Sequence, residues 1–328
     1  MEHITDTRIE QDRPTAVTLG NFDGLHLGHR SLINLTKQFA QEQGLKSVVF
    51  SFSPHPMLVF NRKEDFALIV DPAEKKFQME QMGIDTYIEY PFDAEFAAMS
   101  PEDFAIKLIF EKLQCRVLVV GENYHFGKGA AGDYELLQRL GAERGVMVIE
   151  VPFVLHGEER VSSSRIRRCL LEKDLEDANR MLTVPYFIMG TVAEGKKLGR
   201  TIGFPTVNII AHPLKLFPPN GVYATKTLYK GQYYYGVTNI GKNPTVNGTK
   251  KIVETYLFDF DKMIYGETLQ TYFYKFLRSE QKFPSVEELQ RQIALNAEQS
   301  REYFASEEYA YWRSEAEAAR LSAKASEI

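Results

Sequence analysis

Residues 15–29, TAVTLGNFDGLHLGH, decide the fold of the first half of this chain. The stretch begins with a short apolar run that contains β-branched residues, which is typical of a buried strand. Gly20, Gly24 and Gly28 follow, and apolar residues then recur at helical spacing from about Leu27. The predicted order is strand, glycine-rich turn and helix N-terminus. Such a turn presents backbone N–H groups and the positive end of a helix dipole to an anion.

Two histidines lie in this turn. His26 and His29 are three residues apart at the predicted helix start, so both side chains can point to the same side. Imidazoles beside a phosphate-accepting turn suit nucleotide chemistry, in which negative charge develops on a transferring phosphoryl group. The alternative is that the histidines only cap a helix or pack at a surface, and an isolated H-x-G-H leaves both interpretations open.

The longer string G-x-F-D-G-x-H-x-G-H after a strand resembles the signature of the nucleotidyltransferase superfamily, in its FMN adenylyltransferase version. The resemblance implies that His26 and His29 are catalytic, since they would hold the ATP phosphates and stabilise the leaving pyrophosphate. It also implies an ATP-binding turn made of Gly20, Phe22, Gly24, His26, Gly28 and His29.

Length and composition limit the possible classes of protein. At 328 residues we expect about two domains, and 44% hydrophobic and 25% charged residues are ordinary for a globular protein. The formal net charge of −5 argues against a nucleic-acid-binding surface. Cys115 and Cys169 form neither a metal-binding spacing nor a disulfide framework, which fits a reducing compartment. With a polar, acidic N-terminus and no long apolar run, the sequence predicts a cytoplasmic protein without membrane or nucleic-acid partners.

Strands and helices alternate through the first half. Buried strands are predicted near 46–52, 84–90, 117–121 and 146–151, with helix-start signals at Asp71, Ser100 and Asp133. This alternation predicts a parallel, doubly wound, Rossmann-like α/β sheet. Ligands bind such sheets beyond the carboxyl ends of the strands. The loops 20–29, 53–56 and 121–132 are all expected at that edge.

Three serines precede another predicted helix. This helix N-terminus could bind a second phosphate group through Ser162, Ser163, Ser164 and Arg167. Such a string more often contains a serine N-cap followed by arginines that are exposed to solvent. Together with residues 20–29, the string resembles the S-S-T-x-x-R motif of the same superfamily, with Ser164 in the threonine position. The resemblance implies that all four residues bind ATP and that Arg167 assists catalysis.

The pattern changes near Thr183. From Tyr186 onward, β-branched and aromatic runs are separated by turns every eight to twelve positions, which predicts an antiparallel β-barrel or sandwich. A C-terminal helix is predicted from Ser285. The charged, alanine-rich tail 307–328 is either a surface helix or frayed. We therefore expect two domains, 1–182 and 183–328.

A second glycine-rich stretch lies in the barrel half. Residues 195–208 contain Gly199 and Gly203 and end in P-T-V-N, with Thr206 and Asn208 alternating on one strand face. A glycine-rich loop can wrap a polyphosphate, and a hydroxyl plus an amide oxygen can bind Mg²⁺. Hairpin turns beside an ordinary strand explain the same pattern.

With the motifs that follow it, at 221–224, 236–245, 253–255 and 277–283, this stretch resembles riboflavin kinase. The resemblance implies an ATP site made of Gly199, Arg200, Gly203, Thr206 and Asn208, with Thr206 and Asn208 as Mg²⁺ ligands. It also implies that Glu254 is the general base, whereas alternation alone equally allows an exposed strand residue.

Both halves in this order resemble the prokaryotic bifunctional riboflavin kinase/FMN adenylyltransferase family. The resemblance implies ATP and Mg²⁺, with riboflavin, FMN and FAD as substrates and products. It further implies flavin-binding roles for His55, Phe60, Asn123 and Arg278, although Phe60 is equally well explained as a core aromatic residue. A monomer or a weak homo-oligomer is expected.

Two other hypotheses explain parts of the sequence. One is a single-activity enzyme whose other half is a scaffold, and the intact motifs of both halves argue against it. The other is a flavin-binding regulatory module that acts on RNA. The acidic net charge and the absence of a lysine–arginine stripe argue against this class.

Overall fold

The structure is a computed structural model that divides into two compact units. Among the described residues, the first contains Met1–Phe66 and Lys75–Ser162, and the second contains Ala67–Glu74 and residues 163–314. The residues described are 1–60, 66–182, 184–195, 198–245, 248–311 and 313–314, without the side chains of 198, 200, 243–245 and 248–250.

The first unit is built on a six-stranded sheet in which every neighbouring pair is parallel. Its strands are β1 (Glu2–Ile4), β2 (Thr15–Leu19), β3 (Lys46–Ser53), β4 (Thr86–Pro91), β5 (Cys115–Gly121) and β6 (Met147–Val151). In space the order is β1-β4-β3-β2-β5-β6. The chain moves outward from β2 to β4 and then returns to the other side of β2. The predicted doubly wound parallel sheet is thus confirmed, and its switch point lies between β2 and β5.

Apolar layers cover both faces of this sheet. Because strand side chains alternate, Val17 and Leu118 enter one layer while Ala16 and Val117 enter the other. The near-continuous apolar character of these strands follows from burial on both faces.

Helices of the first unit connect the strands. They are α1 (Leu27–Gln43), α2 (Pro56–Phe60), α3 (Pro72–Gln81, of which the part from Lys75 belongs to this unit), α4 (Ala94–Ala97), α5 (Pro101–Asp103), a π-helix (Phe104–Lys112), a 3₁₀ turn (Lys128–Ala130) and α6 (Tyr134–Ala142). The helix starts expected near Leu27, Ser100 and Asp133 are confirmed, and Ser100 and Asp133 cap their helices through the side chain. A small hairpin, β7 (Leu155–His156) and β8 (Glu159–Arg160), follows β6.

The second unit contains a closed six-stranded antiparallel barrel, so the barrel prediction is confirmed. Its strands are β9 (Phe187–Ala193), β10 (Thr206–Ile210), β11 (Gly221–Tyr229), β12 (Gln232–Thr245), β13 (Gly248–Leu257) and β14 (Thr268–Ser279). Pairing of β9 with both β10 and β14 closes it. The helices of this unit are α7 (Ser163–Glu172), α8 (Leu175–Leu182), α9 (Leu198–Thr201) and α10 (Val286–Ala305).

Helix α10 begins at the predicted place, with the Ser285 side chain accepting a hydrogen bond from the N–H of Glu288. Residues 307–311 of the tail are also helical, and 315–328 lie outside the described residues. Among the described residues, no helix combines the length and the apolar character needed to cross a membrane.

A buried ion pair attaches residues 67–74 to the second unit. Leu68 forms a bridge with Lys215, and the Lys215 ammonium donates to Glu74, whose other oxygen accepts from the N–H of Met189 at 2.9 Å. The periodicity of the sequence does not indicate that residues 67–74 pair with residues so far along the chain. The limits 1–182 and 183–328 stay a prediction, and Thr183 lies outside the described residues.

Candidate functional site

The turn between β2 and α1 follows the central strand of the first unit. Three of its residues have left-handed backbone conformations: Phe22 with φ 50°, Gly24 with φ 93° and Leu25 with φ 45°. Glycine adopts this region without strain, but Phe22 and Leu25 do so at a cost. The surrounding structure must therefore hold this turn in place.

His26 and His29 are brought together where the turn meets α1. His26 is the N-cap residue, and its Nδ1 accepts a hydrogen bond from the N–H of His29 at 3.3 Å. The two rings stack with centroids 3.6 Å apart, and the Phe22 ring packs edge-on against His29 at 5.2 Å. The capping interpretation is thus correct for His26, but it leaves His26 Nε2 available for a further partner.

The small residues of the turn allow these rings to pack. A Cβ atom on Gly20 would lie 3.2 Å from the Phe22 ring, and one on Gly28 would lie 3.4 Å from the His26 ring. A larger residue at Gly20 would crowd the Phe22 ring, whereas a methyl group at Gly28 would make an ordinary van der Waals contact with His26.

Burial keeps both imidazoles neutral at neutral pH. It lowers the pKa of His26 to about 4 and lowers the pKa of His29 well below its usual value. Because His26 Nδ1 accepts a hydrogen bond, the neutral ring carries its proton on Nε2. His29 Nδ1 is buried without a hydrogen-bond partner among the described residues. A buried ring nitrogen of this kind is costly unless a ligand completes its hydrogen bonds.

The predicted flavin residues of the first half follow neighbouring strands. His55 comes after β3, and its ring packs against Phe66 in a tilted arrangement with centroids 4.9 Å apart, while Asn123 comes after β5 and is exposed with φ 59°. Because β3, β2 and β5 are adjacent and parallel, both residues lie at the same sheet edge as the β2–α1 turn. Phe60, in α2, is 63% exposed and contacts Phe92 edge-on, so the core interpretation of Phe60 is wrong.

The serine and arginine motif lies at the start of α7. Ser162 is the last residue of the first unit, whereas Ser163, Ser164 and Arg167 belong to the second. Ser164 is exposed, and Arg167 is half-buried with its Nε donating to the carbonyl of Ala67 at 3.3 Å.

A cavity of about 720 Å³ in the second unit brings together most residues predicted from the second half. The predicted residues that line it are Gly199, Thr206, Asn208, Glu254 and Arg278. Gly203 does not line it and instead supplies a turn with φ 81°. The side chain of Arg200 lies outside the described residues.

Strand register sets the surroundings of Glu254. Glu254 in β13 lies directly opposite Asn208 of β10 on one side and Asn239 of β12 on the other. Directly opposite residues of antiparallel strands have side chains about 5 Å apart on one face. Val253 and Thr255 point into the barrel core, whereas Glu254 is half-buried and lines the cavity. The plain exposed-residue interpretation of Glu254 is therefore wrong.

The loop before β10 lies against the polar side chains of that strand. A Cβ on Gly195 would come within 2.1 Å of Asn208 Nδ2, and one on Gly199 within 3.3 Å of Thr206 Oγ1. Glycine is required at Gly199, where a Cβ would also lie 2.3 Å from the Phe204 carbonyl oxygen, whereas a side chain at Gly195 would displace the Asn208 amide.

The polar residues of the cavity that were not predicted as site residues include Asn239, Lys251, Glu280 and Asn296. Arg278 donates from Nε to Asn296 Oδ1 at 2.9 Å, and Glu280 accepts from Asn220 Nδ2 at 2.9 Å. Lys251 and Asn239 also line the cavity. Asn239 lies within the kinase-like stretch 236–245, but its position opposite Glu254 follows from the register of β12 and β13, which is a long-range property.

Comparisons with known proteins match a different family model to each half of the chain. The FAD synthetase family model matches residues 8–165, and the riboflavin kinase family model matches residues 182–304.

Curated relatives match the chain over most of its length. A Bacillus subtilis protein named bifunctional riboflavin kinase/FMN adenylyltransferase is 37% identical over 90% of this chain and 95% of its own. A Haemophilus influenzae protein of the same name is 37% identical over 89% of this chain and 94% of its own. One from Escherichia coli is 36% identical over 88% of this chain and 92% of its own. A crystal structure described as a macrolide-efflux protein from Streptococcus pneumoniae is 29% identical, with a TM-score of 0.84 over 92% of this chain and 99% of its own.

Proposed function

The chain belongs to the bifunctional riboflavin kinase/FMN adenylyltransferase family, and from this membership we propose which of its residues carry out the two reactions. It is an enzyme that phosphorylates riboflavin to FMN and adenylylates FMN to FAD, with ATP and flavins as substrates.

The kinase reaction takes place in the cavity of the barrel. The 5′-hydroxyl oxygen of riboflavin forms a bond to the γ-phosphorus of ATP, and the bond between that phosphorus and the ADP oxygen breaks. Glu254 accepts the proton that the hydroxyl loses. The observation that carries this assignment is the register that sets the Glu254 carboxylate between Asn208 and Asn239. Gly199, Arg200 and Gly203 belong to the loop that binds ATP, and Arg278 contacts the flavin.

Thr206 and Asn208 hold Mg²⁺ together with the nucleotide. Their hydroxyl and amide oxygens, next to the Glu254 carboxylate, form a hard oxygen donor set that suits this ion. When bound, Mg²⁺ neutralises charge on the phosphates.

The adenylyl-transfer reaction takes place at the β2–α1 turn. An FMN phosphate oxygen forms a bond to the α-phosphorus of ATP, and the bond to the leaving pyrophosphate breaks. His26, which carries its proton on Nε2, donates a hydrogen bond to the phosphates, and a phosphate group completes the hydrogen bonding of His29 Nδ1. The observation that carries this assignment is the buried His29 Nδ1 at a helix N-terminus, which has no hydrogen-bond partner among the described residues.

The remaining residues bind substrates in the same reaction. Ser162, Ser163, Ser164 and Arg167 contact ATP phosphates, with Arg167 assisting departure of pyrophosphate. His55, Phe60 and Asn123 bind the flavin of FMN. The exposed ring of Phe60 supports this role because it offers an aromatic face for stacking.

The adenylyltransferase domain spans 1–182, and the kinase domain spans 183–328. The protein acts in the cytoplasm as a monomer or weak homo-oligomer, without nucleic-acid or membrane partners. The net charge of −5 supports the absence of a nucleic-acid partner.

A product assay tests these assignments. Purified protein is incubated with riboflavin and Mg-ATP, and the flavins are separated. We expect both FMN and FAD. A single product would contradict the two-site assignment, and no product would contradict both sites.

A further inference from the structure

A buried lysine lies beneath the β2–α1 turn of the first unit. Lys75, in α3, is only 7% exposed. Its ammonium donates to the carbonyl of Asn21 at 3.2 Å and to Ser51 Oγ at 3.4 Å, and Ser51 Oγ also donates to the same carbonyl at 3.3 Å. Burial of an ammonium group is costly, so a lysine retained in such a place requires strong compensation.

Two carboxylates compensate this charge. Glu89 of β4 is buried and lies 3.9 Å from the ammonium, and its oxygens also contact Tyr87 Oη at 2.8 Å and His3 Nε2 at 3.0 Å. Asp23, which is buried within the turn, interacts electrostatically with the same lysine. The ammonium is therefore held between the turn and the sheet.

The hydrogen bond from Lys75 to Asn21 lies next to a residue of the turn with a strained backbone. Asn21 and Asp23 flank Phe22, whose left-handed backbone is strained and whose ring packs against His29. A displacement of the Asn21 carbonyl would move Phe22 and, with it, the stacked histidines. Misplacement of reacting groups by about 1 Å is enough to slow an enzyme by about 10²-fold.

We propose that Lys75 is a positioning residue for adenylyl transfer, because its ammonium group holds the Asn21 carbonyl and so fixes the turn that presents His26 and His29. This inference rests on the proposed assignment of adenylyl transfer to the β2–α1 turn.

Lys75→Met tests the proposal, with Lys76→Met as the matched control because Lys76 is exposed on the same helix. Riboflavin phosphorylation on the same preparation reports whether the second unit is folded, and unchanged hydrogen exchange in β5 reports whether the first unit is folded. We expect kcat for FAD formation to fall by about tenfold or more, with the KM for ATP and the kinase kcat each changed by less than about threefold. Lys75→Gln, which keeps a donor for the Asn21 carbonyl, should retain more activity and serves if the methionine variant does not fold.

Hydrogen exchange separates positioning from a merely structural role. Amides of residues 20–26 should exchange about tenfold faster in Lys75→Met, while those of β12 stay unchanged. An FAD-forming kcat within about twofold of the wild type, or unchanged exchange in the turn, would overturn the proposal. If the wild-type chain forms no FAD, the assignment of adenylyl transfer to the β2–α1 turn fails. Hydrogen exchange of residues 20–26 alone then decides whether Lys75 fixes the turn.

Discussion

Single residues carry the proposed chemistry, and Glu254 is the clearest case. We expect Glu254→Gln to lower kcat for FMN formation by about 10²–10⁴-fold, because an amide of the same shape cannot accept the hydroxyl proton. Conversion of supplied FMN to FAD should be unchanged. The measurement is steady-state kinetics of each half-reaction on one preparation.

Glu302→Gln provides the matched control, since Glu302 is exposed on α10 and does not line the barrel cavity. It should leave both rates unaltered. Retention of more than about half of the kinase rate in Glu254→Gln would refute the general-base role.

The buried His26 predicts a pH dependence of stability. An unfolded histidine binds a proton near its ordinary pKa of 6.5, whereas folded His26 does so only at about 4. The unfolded chain therefore binds more protons between these values, and the free energy of unfolding falls as the pH falls. His26 should account for a loss of about 2 kcal/mol between about pH 7 and about pH 5, and His29 acts in the same direction.

His26→Asn isolates this effect, because asparagine can still cap α1 but does not titrate. Urea unfolding followed by circular dichroism at both pH values should show a smaller pH dependence in the variant. His125→Asn, which removes an exposed imidazole of the same unit, should behave as the wild type. Equal pH dependence in His26→Asn and the wild type would contradict the burial argument.

Among the structural elements, the loop before β10 approaches that strand closely, and substitution of two glycines tests this approach. Gly195→Ala would place a methyl group against Asn208, so kinase activity should fall by about tenfold while FMN adenylylation persists. Gly231→Ala is the control. Gly231 lies in the β11–β12 hairpin with φ 81° and open space around it, so its substitution should cost about 1 kcal/mol of stability without loss of kinase activity. Equal kinase rates in both variants would argue against the close approach of this loop.

The structural elements also show which features of the protein could be predicted from its sequence. Residues 15–29 were predictable because a strand, a glycine turn and a helix cap are all local signals. The edge strand β1 was not predicted, because a run of three residues, two of them polar, becomes a strand only by pairing with β4, far along the chain. Lys75 was also missed, since a lysine in an amphipathic helix is ordinarily solvated. The alternation in β13 left the exposure of Glu254 open until the barrel register was known.

At the scale of the whole molecule, two compact units carry different chemistry, so the two activities should be separable by mutation. Supplied with riboflavin and ATP, His29→Ala should form FMN at the wild-type rate, and its FAD formation should be about 10²–10³-fold slower. The loss follows because alanine provides no ring to stack on His26 and no nitrogen to contact phosphate. Separation of flavins over time measures both steps.

A mixture of two single variants tests independence directly. His29→Ala chains retain the kinase site, and Glu254→Gln chains retain the adenylyltransferase site. FMN released by the first variant is the substrate of the second, so the mixture should convert riboflavin to FAD much faster than either variant does alone. Failure of the mixture, with each half-reaction intact in its own variant, would mean that FMN does not pass through solution. Loss of FMN formation in His29→Ala would instead mean that the two sites depend on each other.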